Sequence, residues 1–156
     1  MPQINAIEER LAQLGIVLPP TPKPIANYVP FVQVNDLLYL SGQGPRLGPR
    51  EFAHGRLGKD VTTEEAYQHA RMVGIQLLAA AKDALGDLTR VRRVIKLLGM
   101  VNATPDFEQH PQVINGCSDL FVEVFGDSGR HARSAVGMGS LPNNITVEIE
   151  AIFQVS

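Results

Sequence analysis

Hydrophobic residues recur at helical spacing in three stretches of the chain. The clearest stretch begins after Thr62, which forms a capping-box pattern with Glu65, and ends at Gly86, where a C-terminal cap belongs. Its apolar stripe contains Ala66, Ala70, Val73, Leu77, Ala81 and Ala84. The spacing also predicts helices over residues 4–14 and 111–125. The longest helix is rich in alanine and can therefore pack closely on a sheet.

Short β-type runs predict the strands. Residues 28–34 and 37–40 are separated by Asn35-Asp36, which indicates a hairpin. Further strands are predicted over residues 91–101, 134–139 and 146–155. Pro-rich residues 18–24 read as an extended connector, and Gly/Pro-rich residues 42–58 as a loop that borders a site or an interface. The order, one helix and then ββαβαββ, predicts an α+β fold with two helices on one face of a sheet.

The last predicted strand leaves neither of its faces plainly solvated. Val147, Ile149, Ala151, Phe153 and Val155 alternate with Glu148, Glu150, Ile152 and Gln154. Because the helices cover only one side of the sheet, we expect the other side to be buried by association with further copies of the chain.

Charged residues interrupt the last two predicted strands, which are otherwise apolar or small. A charge on an inward-facing strand position is costly unless something pairs with it, so it indicates a partner or a ligand. If the two strands form a hairpin centred near residues 140–141, Arg133 and Glu148 lie on the same face. Together they would either hold one small polar substrate or form a cross-strand ion pair worth about 0.2–1 kcal/mol. Glu150 would share the face of Glu148, as a second pocket acid or, the interpretation we favour, as a subunit contact.

Composition is that of an ordinary globular protein. The 156 residues suit one domain, and 44% hydrophobic with 19% charged residues argues against disorder. The net charge of −2 argues against a general attraction to nucleic acid or to an anionic membrane. The chain has no secretory-signal pattern at its start and no run of about 18 apolar residues, so we expect a cytoplasmic protein that does not enter membranes.

Metal and cysteine chemistry are not predicted. The single cysteine, Cys117, excludes an internal disulfide and is expected to be a small buried residue within a helix. The histidines lack metal-ligand spacing, which favours surface or capping roles for them. They are His54, His69, His110 and His131.

Several segments together form a more specific pattern. They are Tyr28, Leu40-Ser41-Gly42-Gln43, the segment centred on Asn115, Ala132-Arg133-Ser134, Leu141-Pro142 and Val147-Glu148-Ile149-Glu150-Ala151-Ile152. This pattern resembles the reactive-intermediate deaminase family, called Rid or YjgF and also labelled endoribonuclease L-PSP. We therefore divide the chain into an N-terminal helix and connector over residues 1–27 and one Rid-like domain over residues 28–156.

The resemblance implies a fold, an assembly and an activity. The implied fold is chorismate-mutase-like, and the implied assembly is a homotrimer whose sheets line a central barrel, with active sites in clefts between subunits. The implied reaction is the hydrolysis, without a cofactor, of enamines and imines such as 2-iminobutanoate and 2-iminopropanoate to 2-keto acids and ammonia. The expected partners are a small carboxylated metabolite and further copies of the chain.

The resemblance also implies roles for individual residues. Arg133 matches the arginine that grips the substrate carboxylate, and Glu148 matches the acid near the reacting water. Matches to other substrate-binding residues are Tyr28, for which Phe31 is a competing alignment, Ser41, Gly42 and Asn115.

Two departures distinguish this chain from the short deaminases. Ala135 stands where they commonly have a cysteine, and about 27 residues precede the matching segments. These departures indicate a longer branch whose substrate differs or whose deaminase activity is absent. Three hypotheses therefore remain: an imine deaminase, a non-catalytic module that binds a small carboxylate such as a keto acid, and an endoribonuclease supported by the family label alone.

Overall fold

The computed structural model describes residues 5–24 and 26–156. Its helices are α1 (Ala6–Gln13), α2 (Thr63–Leu85) and α3 (His110–Phe125). Its strands are β1 (Phe31–Val34), β2 (Leu37–Gln43), β3 (Arg46–Gly48), β4 (Glu51–Phe52), β5 (Val91–Asn102), β6 (Ala132–Met138) and β7 (Val147–Val155). Five strands form the main sheet in the order β1-β2-β7-β5-β6, while β3 and β4 pair with each other. The predicted α+β class is confirmed.

Both ends of α2 follow the capping signals in the sequence. The Thr62 hydroxyl accepts a hydrogen bond from the Glu65 backbone N–H at 3.1 Å. Gly86 closes the helix in the left-handed region, with φ of 78°. The predicted helix is therefore confirmed at both boundaries.

The core lies between the sheet and the two long helices, which cover one sheet face. Its fully buried side chains include Leu38, Leu77, Leu97, Phe121, Ile149 and Phe153. Cys117 is also fully buried, as predicted. The predicted first helix included Ile4, which lies outside the described residues; α1 itself contributes Leu11 to the same core.

The predicted hairpin between the last two strands is wrong. The chain runs from β5 through α3 into β6, and this crossover makes β6 the parallel neighbour of β5 at the edge of the sheet. β7 pairs antiparallel with β5 on its other side. β5 therefore lies between β6 and β7.

The predicted loop over residues 42–58 is also only partly correct. β2 continues to Gln43, and Arg46–Gly48 and Glu51–Phe52 form a short antiparallel pair within the segment. Glycine and proline content indicated the turns but concealed these short strands.

The second sheet face is open in a single copy of the chain. Val32, Tyr39 and Val136 are 50%, 44% and 39% exposed on it. In the part of the chain that the structure describes, no helix is both long and apolar enough to cross a membrane. The open face is the surface that the sequence predicts to be covered by association.

Candidate functional site

Four of the predicted site residues line one cavity of about 620 Å³ beside the open face of the sheet. They are Tyr28, Ser41, Gly42 and Glu148. Tyr28 comes from the segment before β1, Ser41 and Gly42 from β2, and Glu148 from β7. Because β2 and β7 are adjacent strands, three of these residues are brought together by strand pairing alone.

An irregularity in strand pairing shapes the β2 side of the cavity. The register between β2 and β7 shifts between Leu40 and Gln43. Within this segment the Ser41 hydroxyl donates to the Val29 carbonyl at 2.6 Å, and the Ser41 N–H donates to the Pro30 carbonyl at 3.0 Å. Ser41 therefore anchors the segment that carries Tyr28.

Gly42 allows the Glu148 carboxylate to lie against the β2 backbone. A Cβ atom at position 42 would lie 3.1 Å from Oε2 of Glu148, closer than such contacts normally are. A side chain at this position would therefore push the carboxylate away from its present place.

Glu148 is a half-buried carboxyl with a shifted pKa. Burial raises the pKa of Glu148 above its ordinary value of 4.5, and the nearby Glu150 carboxylate raises it further. Glu150 lines the same cavity. A carboxylate whose pKa is raised is a stronger base than an ordinary carboxylate, which suits it to proton transfer with a bound substrate.

Arg133 lies at the other end of the sheet, against α3. Its Nη1 donates to the Ser118 hydroxyl at 2.9 Å, and its Nη2 donates to the Pro111 carbonyl at 3.2 Å. Within residues 5–24 and 26–156, the ion pairs join Arg71 to Glu123, Lys82 to Glu8 and Arg130 to Asp127. Arg133 is therefore a half-buried cation without a carboxylate partner among these residues.

The expectation that Arg133 and Glu148 share a face is wrong. Arg133 pairs with Leu97 of β5 on the helix-covered side, where Leu97 is fully buried. Glu148 pairs with Met100, and its neighbours Val147 and Ile149 point into the core, so Glu148 points to the open side. The cross-strand ion pair is excluded for the same reason.

Asn115 lies with Arg133 and apart from the Glu148 cavity. On α3, Pro111, Asn115 and Ser118 follow one another at helical spacing, so Asn115 lies on the stripe that faces Arg133. The six predicted residues thus form two groups, with four around Glu148 and two beside α3.

Sequence analysis missed two residues of the Arg133 group, Ser118 and His131. His131 Nε2 is 2.9 Å from the Ser118 hydroxyl, and its Nδ1 is 2.6 Å from the Gly129 carbonyl. The available signal was proximity in the sequence, because His131 lies two residues before Arg133 and directly before β6. Of the surface and capping roles expected for His131, the contact with the carbonyl of Gly129, the last residue of the short helix Gly126–Gly129, agrees with capping, and the part-buried ring does not agree with a surface role.

The cavity around Glu148 is also lined by residues that the sequence did not single out, one of them in the segment 42–58 that was expected to border a site. The proline-rich connector supplies Pro22 and Lys23, and β3 supplies Arg46. Arg46 lies over the Phe52 ring, 4.8 Å from its centroid. Among the residues that the structure describes, no three His, Cys, Asp or Glu side chains are grouped as metal ligands would be.

Comparisons with known proteins agree on one family. A family model described as "YjgF/chorismate mutase-like, putative endoribonuclease" matches residues 8–152. The chain is 40% identical to Protein TCP17 of Trypanosoma cruzi, over 96% of this chain and 94% of the relative. It is 29% identical to a Dermatophagoides farinae protein named 2-iminobutanoate/2-iminopropanoate deaminase, over 88% of this chain and 92% of that relative. A solved structure of a protein of unknown function from Agrobacterium tumefaciens is 47% identical, with a TM-score of 0.89 over 96% of this chain and 92% of that one.

Proposed function

Because this chain belongs to the YjgF/chorismate mutase-like family, we propose that it hydrolyses small carboxylated imines and enamines in the cytoplasm. The proposed substrates are of the 2-iminobutanoate and 2-iminopropanoate type, and the products are a 2-keto acid and ammonia. The relative named 2-iminobutanoate/2-iminopropanoate deaminase supports this substrate class. The reaction as proposed uses no cofactor.

We propose that the active site is completed by a second copy of the chain within a homotrimer. In one copy, Arg133 and Glu148 lie on opposite sides of the sheet, so one small molecule does not reach both. An edge strand carries Arg133, and the open face beside Glu148 leaves large apolar side chains exposed. Both features support a cleft in which the Glu148 cavity of one copy meets the Arg133 edge of its neighbour.

Arg133 would hold the substrate carboxylate. Two of its N–H groups are engaged by Ser118 and Pro111, and a guanidinium has five N–H groups, so three remain for a ligand. A carboxylate accepting two of these bonds is fixed in orientation as well as in position. The C=N carbon of the substrate is then presented at a defined place.

Glu148 would move the protons of the reaction. Its carboxylate takes a proton from a water molecule as the water oxygen bonds to the C=N carbon, and the carboxylic acid so formed gives that proton to the imine nitrogen. The resulting carbinolamine then loses its hydroxyl proton to Glu148, which passes it to the amine nitrogen as the C–N bond breaks, so that ammonia leaves and the carbonyl of the keto acid forms. General base assistance of this kind contributes about 10²–10⁴-fold, and the raised pKa of Glu148 suits it to both accept and return a proton.

The observation that carries the proposal is the half-buried Arg133 without a carboxylate partner among the described residues. The test is a coupled assay for 2-keto acid formed from freshly generated 2-iminobutanoate. Arg133→Ala should abolish turnover and leave the protein folded, while Arg92→Ala, which changes an exposed arginine of β5, should leave turnover unchanged. Unchanged turnover in Arg133→Ala would exclude the proposed role.

Ala135 favours a second candidate function, a module that binds a small carboxylate without converting it. Ala135 of β6 pairs with Gly99 of β5, lies on the same side of the sheet as Arg133, and supplies no polar or nucleophilic group there. Binding of 2-oxobutanoate by calorimetry, combined with no 2-keto acid formation above the uncatalysed rate, would support this module and contradict the deaminase.

A further inference from the structure

Arg133 is the first member of a chain of hydrogen bonds that ends at a backbone carbonyl. Its Nη1 lies 2.9 Å from the Ser118 hydroxyl, which lies 2.9 Å from His131 Nε2. His131 Nδ1 lies 2.6 Å from the Gly129 carbonyl oxygen. The chain therefore connects β6, α3 and the turn that precedes β6.

The donor and acceptor groups of these residues determine the direction of each hydrogen bond in this series. A guanidinium only donates, so the Ser118 oxygen accepts from Arg133. A carbonyl only accepts, so His131 donates through Nδ1–H to Gly129, and its Nε2 is left as an acceptor when the ring is neutral. The Ser118 hydroxyl hydrogen is then donated to Nε2. With neutral His131, each of these three hydrogen bonds has one donor and one acceptor.

The Ser118–His131 pair is unsuited to nucleophilic catalysis. An activated serine needs its oxygen lone pairs free to attack a substrate. Here the Arg133 guanidinium donates to that oxygen and withdraws electron density from it. The pair therefore acts on Arg133 rather than on a substrate.

We infer that Ser118 and His131 are positioning residues that hold the Arg133 guanidinium in the orientation required to bind a carboxylate. The inference rests on the carboxylate-binding role proposed for Arg133. Ser118 holds Nη1 and Pro111 holds Nη2, so rotation of the long side chain is restricted. The orientation of the remaining N–H groups is thereby fixed. A ligand then binds without first having to order that side chain.

Protonation of His131 disrupts this arrangement. An imidazolium would donate from Nε2 to Ser118, which leaves the Ser118 hydrogen without its acceptor and adds a second positive charge next to Arg133. Burial lowers the pKa of His131 below 6.5; the Gly129 hydrogen bond opposes this shift and the Arg133 charge adds to it. Carboxylate affinity should therefore change as the pH drops through the His131 pKa, because protonation removes the acceptor of the Ser118 hydroxyl hydrogen and places a second positive charge beside Arg133.

The charged groups around His131 determine how readily it is protonated. The charged and titratable groups near it are Arg133 on β6, Cys117 on α3, Arg130 and Asp127 in the preceding turn, and Arg93 on β5. Burial raises the pKa of Cys117, which keeps that thiol neutral. Arg130 and Asp127 pair with each other in solvent, and Arg93 donates to the Arg130 carbonyl. Arg133 is thus the charge that couples to His131.

The test is calorimetric affinity for 2-oxobutanoate in a series of measurements from about pH 8 down to about pH 4. Ser118→Ala should weaken binding by about tenfold or more, and Ser118→Thr, which keeps the hydroxyl, should restore it. His131→Gln keeps an acceptor for Ser118 but does not titrate, so it should bind like the wild type at pH 8 and show none of the change in affinity that the wild type shows at lower pH. The matched controls are Ser156→Ala and His54→Gln, which change exposed residues away from Arg133, Ser118, His131 and Gly129.

The outcomes separate this inference from the proposed function. If Ser118→Ala binds as tightly as the wild type while Arg133→Ala does not bind, the carboxylate site stands and the positioning role is wrong. If the wild type binds no 2-oxobutanoate, the proposed function fails, and ¹⁵N relaxation of the Arg133 Nε–H group decides the positioning role. A rigid Arg133 in the wild type that becomes mobile in Ser118→Ala supports positioning; equal mobility in both overturns it.

Discussion

Arg133 and Glu148 lie on opposite faces of one sheet, on strands that are separated by β5. Two interstrand spacings place their backbones about 10 Å apart across the sheet, and the register offset from Leu97 to Met100 adds about 10 Å along it. A three- or four-carbon imino acid is too short to contact both side chains of one copy. If both residues serve one reaction, they belong to different copies of the chain.

Mixed assemblies should therefore recover activity. Arg133→Ala and Glu148→Gln are each expected to be inactive, but a random mixture of the two chains contains sites with an intact Arg133 from one copy and an intact Glu148 from another. Such sites make up about a quarter of the total in a cyclic assembly, so about a quarter of the wild-type rate is expected in the coupled keto-acid assay.

The control mixes Arg133→Ala with the double variant Arg133→Ala/Glu148→Gln, which provides no intact arginine. This mixture should stay inactive. If the first mixture also stays inactive after the chains have been refolded together, the site does not combine residues of two copies.

Substitution of Gly42 should displace Glu148 without unfolding the protein. In Gly42→Val the side chain would meet the Glu148 carboxylate, because a Cβ atom at position 42 would already lie 3.1 Å from Oε2 of Glu148. We expect kcat/KM to fall by about tenfold or more, because the proton-transfer group is misplaced. Gly139→Ala is the matched control, since a Cβ there meets nothing within 4 Å. Equal activity of the two variants would contradict the placement of Glu148 in the reaction.

The pH profile should respond to Glu150. As general base, Glu148 must be ionised, so activity should fall as the pH drops through its pKa, which burial and Glu150 hold above 4.5. Glu150→Gln removes a negative charge and lowers that pKa, so the acid limb of kcat/KM should move to lower pH. Glu108→Gln, at an exposed position before α3, should leave the limb in place. If the acid limb of kcat/KM moves to higher pH in Glu150→Gln, Glu150 does not raise the pKa of Glu148 as stated.

The close contact between α2 and α3 should not tolerate a larger residue at Gly116. A Cβ at this position would overlap the carbonyl of Tyr67 on α2, and the obstacle is backbone that cannot rotate away. Gly116→Ala should destabilise the protein by about 1–3 kcal/mol or more, measured as a lowered Tm and denaturant midpoint. Gly139→Ala again provides the comparison, and a Tm within about 1 °C of the wild type in Gly116→Ala would refute the contact.

The sequence predicted those elements whose signals are local. Thr62, Glu65 and Gly86 determine both ends of α2 because caps act on hydrogen bonds within one or two turns. The small strands β3 and β4 were missed because two- and three-residue strands offer too short a pattern for the two-residue period to emerge.

The sequence indicated which residues belong to the candidate site but not how they are arranged in space. The segments containing Ser41, Gly42, Arg133 and Glu148 were identified from a motif, and the comparisons confirm the family that the motif indicates. Ser118 and His131 had no motif of their own. Their relation to Arg133 arises from the packing of α3 on β6, which involves residues distant in the chain.

The sequence by itself determined the order of the helices and of the five strands of the main sheet, the ends of α2, the family and the alternation that turns Val147 and Ile149 inward. It did so because these features depend on neighbouring residues or on a shared motif. Only the tertiary structure decided that β5 separates β6 from β7, and hence that Arg133 and Glu148 face opposite sides of the sheet. The two-residue period assigns faces within one strand, whereas the relation between two strands depends on which strands pair, and here the α3 crossover sets that pairing.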